Sequence, residues 1–211
     1  MSKLNLEATL EPLNYSRGGV SEMATAIYPG SFNPPTVAHL AISKAALQQR
    51  EIDTIVWSVS RVALGKEKVS TPIFEHHITV LEQVADQHVW LHIQERNAQL
   101  MADIAVGYDL LIMGADKWHQ IQDPIFYNGD PGSRDLALAG LPELAIVPRE
   151  PFEAPFAQQL KLPDNMDSIS SSKAREVSTS LMLPPAQNFD QQTGAWTNVE
   201  KYELWLSQKT D

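Results

Sequence analysis

Apolar positions along this chain fall into short blocks, separated by longer stretches with helical spacing. Ala24 to Ile27, Thr54 to Val59 (TIVWSV), His88 to Ile93 (HVWLHI), Asp109 to Met113 (DLLIM) and Leu144 to Val147 are apolar or β-branched runs of strand length. A further strand is expected near Leu160 to Leu162. Between them the pattern predicts helices. The first runs over Val37 to Gln49, where Val37, Leu40, Ala41, Ala45 and Leu47 supply an apolar surface. Others are expected over Pro72 to about Ala85, Gln94 to Val106, Ser133 to Gly140 and Val199 to Ser207, with a short turn after Asp116. Strands alternating with helices predict an α/β fold: a doubly wound, mostly parallel sheet with helices on both faces. After Asp109, DLLIM is a continuous apolar run, as a central parallel strand covered on both sides should be. Residues 1–22 are polar and mixed, and are expected to form an N-terminal extension. Residues 23–211 then form a single domain with a C-terminal helical portion.

Composition narrows the function classes. Sixteen lysines and arginines stand against 26 acidic residues in 211, for a net charge of −10. Nucleic acid is therefore not the expected partner, and an anionic ligand must be held by local cations, backbone amides and a metal ion. Cysteine is absent, so disulfides, thiolate chemistry and zinc sites built on Cys are excluded. No apolar run approaches membrane-spanning length and the N-terminus lacks a signal-peptide core, so a cytoplasmic protein is expected.

Three segments carry candidate chemistry. Tyr28 to Leu40, YPGSFNPPTVAHL, joins a strand through a turn at Gly30 to a helix N-terminus, where free amides and the helix dipole favour an anion. Thr36 is placed as the N-cap, and His39, three positions on, faces the same way. Taken alone, Thr36 can simply cap and His39 can be solvated. Ile169 to Arg175, ISSSKAR, opens a second helix with Ser170, Ser171 and Ser172, and Arg175 lies on the face of Ser171. That set suits a polyphosphate, but equally an ordinary serine cap beside a surface arginine. Met113 to Asp116, MGAD, ends the apolar strand; Asp116 is placed to bond a ribose or to cap the next helix.

The first two segments, in this order, resemble the paired signatures of the nucleotidylyltransferase superfamily, GSFxPxHxGH or TxGH followed by ISSTxxR. MGAD is similar to the GxD of nicotinate and nicotinamide mononucleotide adenylyltransferases. The resemblance covers about residues 24–180. It implies a Rossmann-like fold and transfer of AMP from ATP to a phosphate monoester, with Mg²⁺ and release of pyrophosphate. The acceptor it favours is nicotinate or nicotinamide mononucleotide, completing a dinucleotide such as NAD. Alternatives are another acceptor such as phosphopantetheine, an enzyme using CTP, or an ATP-binding sensor without catalysis. By the family pattern His39, Thr36 and Arg175 are catalytic. Thr36 and His39 would contact the ATP phosphates, with Gly30, Ser31 and Phe32 beside them; Ser171, Ser172 and Arg175 would hold the β and γ phosphates, Ser170 would also bind ATP, and Asp116 would lie near the adenosine ribose. Such a phosphate nucleophile is already anionic, so positioning and charge stabilisation dominate. A helix N-terminus disfavours imidazolium, so His39 is expected to be neutral until ATP binds. Ala38 departs from the glycine of TxGH, and Ser172 from threonine.

For the acceptor, Trp118 or Trp90 could stack on a ring, although tryptophans more often simply pack. Lys66, with Arg61 and Lys68 after the second strand, could take a phosphate or be solvated. No metal-ligating set is expected among the side chains; His76 and His77 lack further ligands. The expected partners are ATP and a phosphorylated small molecule, with neither nucleic acid nor membrane; a homo-oligomer is left open.

Overall fold

The computed structural model describes residues 23–60, 72–96, 98 and 100–209. The N-terminal extension and the basic loop carrying Arg61, Lys66 and Lys68 lie outside the described residues. In chain order come β1 (Thr25–Pro29), α1 (Val37–Gln49), β2 (Thr54–Val59), α2 (Phe74–Ala85), β3 (Leu91–Glu95), α3 (Met101–Ala105) and β4 (Leu110–Gly114). They are followed by α4 (Ala115–Ile121), α5 (Pro131–Ala139), β5 (Glu143–Val147), α6 (Ser171–Glu176), α7 (Pro184–Thr193) and α8 (Val199–Ser207).

The five strands form one sheet in the order β3-β2-β1-β4-β5, and every pairing is parallel. Alternation along each strand sends side chains to opposite faces. Ala26, Ile55, Trp57, Leu110 and Ile112 pack with Ile42, Ala46, Leu81 and Val84 from α1 and α2. Ile27, Leu111, Met113 and Ile146 pack with Ile104, Ala105 and Ile121 from α3 and α4 on the other face. Both faces are thus covered, which is why DLLIM contains no polar position after Asp109. The strand order reverses between β1 and β4, opening a crevice at their carboxyl ends. A third apolar cluster joins Val80 of α2 to Ala186, Trp196 and Tyr202, seating α7 and α8 on that helix. Among the described residues no helix is long and apolar enough to cross a membrane.

Some expected boundaries move. β3 starts at Leu91 rather than His88, because the His88 amide is committed to Ala85 and its carbonyl accepts from the Leu91 amide. The helix expected over Gln94 to Val106 shrinks to Met101–Ala105, since β3 continues to Glu95 before the chain crosses the sheet. Leu160 to Leu162 is not a strand; among the described residues the segment joins the sheet only through a bridge from Gln159 to Ile146, with the Leu160 amide on the Ile146 carbonyl at 2.9 Å. α7 was not legible because Pro184 and Pro185 suggest a break, yet both occupy its first turn, where no helical N–H is needed.

Candidate active site

Gly30 closes β1 by donating its amide to the Ser58 carbonyl at 3.0 Å. A Cβ on Gly30 would stand 3.0 Å from the Phe32 ring, so glycine is what lets that ring pass. Phe32 has φ of +43°, a left-handed conformation that is unfavourable for a side-chain-bearing residue. The residue is held there by burial: its ring stacks on Trp57 at 4.4 Å with the planes 8° apart. His77 Nε2 donates to the Phe32 carbonyl at 2.9 Å, fixing the turn from the α2 side.

Thr36 is the N-cap of α1, as the sequence suggests, but it is fully buried rather than facing a ligand. Its amide donates to His39 Nδ1 at 3.0 Å, and its hydroxyl lies 3.0 Å from the same nitrogen. The reciprocal contact of a capping box is thus made by an imidazole where a carboxylate is common. Since Nδ1 accepts, the neutral ring carries its proton on Nε2, which has no hydrogen-bond partner among the described residues. Burial against Phe32 and Tyr28, and secondarily the Arg149 charge, bring the His39 pKa down to about 3. Burial thus favours the neutral ring in the free protein, the direction expected from the sequence. Thr36 acts on His39; the expectation of a direct phosphate contact from Thr36 does not fit its burial. Ala38 is buried as well, so its methyl group faces the protein and not the cleft.

The serine segment docks onto this same turn. Ser170 caps α6 by accepting from the Lys173 amide at 3.2 Å. Ser171 donates to the Pro34 carbonyl at 2.8 Å, and Arg175 donates to the Asn33 carbonyl and, at 3.2 Å, to Ser172 Oγ. Two motifs more than 130 residues apart in sequence are thereby one structure.

A cleft of about 390 Å³ opens beside the turn, lined by Gly30, Ser31 and His39 on β1–α1 and by Asp116 beyond β4. Asp116 is the second residue of α4, not its cap. A Cβ at Gly114 would lie 2.3 Å from Asp116 Oδ1, so glycine is needed for the carboxylate to fold back over the strand end. The carboxylate stands 3.9 Å from Arg149 Nε. Arg149, Lys117 and Arg96 also line the cleft and were not singled out from sequence. The signal was available: they follow the carboxyl ends of β5, β4 and β3, the rule already applied to Asp116. Burial raises the Tyr28 pKa above its usual value, so its hydroxyl stays protonated in the same cleft.

The two tryptophans do not join the cleft lining. Trp118 packs half-buried into the α3–α4 side of the core. Trp90 precedes β3 at the opposite end of the sheet, stacked on His88 at 5.1 Å, with its carbonyl accepting from Ile55 at the start of β2. Lys66 lies outside the described residues.

No curated protein matches this chain. Solved structures similar to this chain include two of the same fold. Both are Plasmodium falciparum nicotinic acid mononucleotide adenylyltransferase, one complexed with APC and one with NaAD. They are 15% and 14% identical, with TM-scores of 0.61 and 0.58, and each alignment covers 84% of this chain and 100% of that one. A cytidylyltransferase-like family model matches residues 27–177, from within β1 to just past Arg175, so both sequence motifs fall inside it. The chain belongs to the cytidylyltransferase-like family, and is a nucleotidyltransferase.

Proposed function

We propose that this protein transfers AMP from ATP to nicotinate or nicotinamide mononucleotide, releasing pyrophosphate, as a cytoplasmic step of NAD synthesis. The observation that carries the proposal is the junction of the two motifs: Ser171 and Arg175 bond the Pro34 and Asn33 carbonyls of the turn that leads into His39. Supporting the acceptor is the likeness in fold to the Plasmodium nicotinic acid mononucleotide adenylyltransferase, one structure of which holds NaAD.

In the reaction an acceptor phosphate oxygen attacks the α-phosphorus, forming a P–O bond as the bond to the β-phosphate oxygen breaks. No side chain need take a proton from the nucleophile. His39, neutral with Nε2–H uncommitted, donates to a phosphate oxygen as negative charge shifts toward pyrophosphate. Arg175, Ser171 and Ser172 meet the β and γ phosphates, and Asp116 meets a ribose hydroxyl across the cleft. Among the described residues no group of three or more His, Cys, Asp or Glu side chains could hold a metal. Mg²⁺ would fit as an ion carried on the ATP phosphates and completed by water, adding charge neutralisation there.

The test is pyrophosphate release from ATP or CTP with nicotinate mononucleotide, nicotinamide mononucleotide or phosphopantetheine as acceptor. Release from ATP with a pyridine mononucleotide is expected. Release with phosphopantetheine alone, or from CTP alone, overturns the proposal, as does nucleotide binding without release from any pair.

A further inference from the structure

The cleft has two unlike flanks. On the β4–β5 side Arg149 already faces a carboxylate, Asp116 at 3.9 Å. On the β3 side Arg96 has only neutral partners among the described residues. Its Nε donates to Gln94 Oε1 at 3.0 Å and its Nη2 to the Tyr108 hydroxyl at 3.4 Å. Tyr108 in turn donates to Gln94 Oε1 at 2.6 Å, and its ring lies under the guanidinium, 5.2 Å from ring centroid to Cζ. Two neutral side chains thus hold a cation in one orientation, and among the described residues neither hydrogen on Nη1 has a partner. Next to it the cleft is apolar, lined by Ala98, Met101 and Ile104.

We infer that Arg96 selects the acceptor, binding a ring carboxylate and so favouring nicotinate over nicotinamide mononucleotide. This rests on the reading of the protein as a pyridine mononucleotide adenylyltransferase. Such an acceptor brings a phosphate that must reach the reacting centre beside His39. β3 lies two strand spacings from β1, about 10 Å, so Arg96 is placed for the far end of the acceptor and not for its phosphate. An apolar wall with a planar cation at its edge suits a flat ring bearing a carboxylate. A carboxamide presents the same shape without the charge, and loses the charge-assisted bidentate pair.

The test compares kcat/KM for the two mononucleotides in the wild type, Arg96→Gln and Tyr108→Phe, with KM for ATP as an internal control. The wild type should prefer the acid. Arg96→Gln should lower kcat/KM for the acid by about tenfold or more, through KM, and change the amide by less than about threefold. Tyr108→Phe, which keeps the ring and loses the hydroxyl, should shift the same ratio in the same direction by less. A loss of packing alone would depress both acceptors equally and leave their ratio unchanged; that result, or a wild type that prefers the amide, overturns the inference while leaving the adenylyltransferase reading intact. If neither mononucleotide is turned over or binds in a calorimetric titration, the reading itself falls and the inference with it.

Discussion

The Trp196 indole N–H donates to Asn33 Oδ1, joining the turn before α8 to the turn before α1 across 163 positions. Trp196 is itself set by the buried Asp190 carboxylate, which accepts from the Trp196 and Thr197 amides at 2.7 and 3.0 Å. Asn33 also presents its carbonyl to Arg175, so the C-terminal helices reach that arginine through one residue. Trp196→Phe keeps the ring and removes the donor. Stability should fall by about 1 kcal/mol in urea unfolding, and kcat should fall about tenfold from misplacement of the turn. An unchanged kcat would show that Trp196 serves only the α7–α8 packing.

His39 links pH to stability. Its pKa is depressed from 6.5 in the unfolded chain to about 3 in the folded one. Between those values the unfolded state binds more protons, so stability rises with pH in that window. The contribution is fully present above about pH 6.5 and is lost as pH falls toward 3, with a slope of up to ~1.4 kcal/mol per unit. Burial lowers the His77 pKa too, adding in the same direction. Denaturant melts from neutral to acid pH should show this slope, and His39→Gln should flatten it. A wild-type histidine NMR titration placing His39 near its ordinary value would remove the effect.

Much of this was legible in sequence because it is local. The apolar runs fixed β1, β2, β4 and β5, and the strand–turn–helix of YPGSFNPPTVAHL formed as expected, down to Thr36 as N-cap. Burial was less legible. Thr36 is buried where Met182, from a distant segment, bridges to its backbone, a contact that leaves no local trace in the sequence. Trp90 failed as an acceptor candidate for a topological reason. A strand's amino and carboxyl ends look alike in composition, and β3 begins three residues later than the pattern suggests, which puts Trp90 at the wrong end of the sheet. The cationic residues Arg96, Lys117 and Arg149 sit at the right ends, but three different strands bring them together.

The geometry at Thr36 and His39 separates their roles. His39→Ala should lower kcat by on the order of 10²-fold, because it removes the donor aimed at developing charge. Thr36→Val keeps the backbone N–H that holds His39 Nδ1 and loses only the hydroxyl contact. Its kcat should fall by about tenfold or less. Equal losses in the two variants would return Thr36 to direct phosphate contact.

Gly114 offers a change that should damage function more than folding. Its added Cβ would meet Asp116 Oδ1 at 2.3 Å, with the next atoms at 3.5 Å or beyond. The conflict is with the end of a movable side chain, and Gly114 does not occupy the left-handed region, so the backbone can accept alanine. The carboxylate must swing away, leaving its place near Arg149 and the ribose position assigned to it. Gly114→Ala should therefore change unfolding free energy by less than about 1 kcal/mol, while KM for ATP rises by about tenfold or more from loss of a charge-assisted hydrogen bond. Asp116→Asn, which keeps the shape and removes the charge, should raise KM by a smaller factor. If Gly114→Ala instead lowers stability with KM unchanged, Asp116 belongs to the scaffold of the β4–α4 junction and not to nucleotide binding.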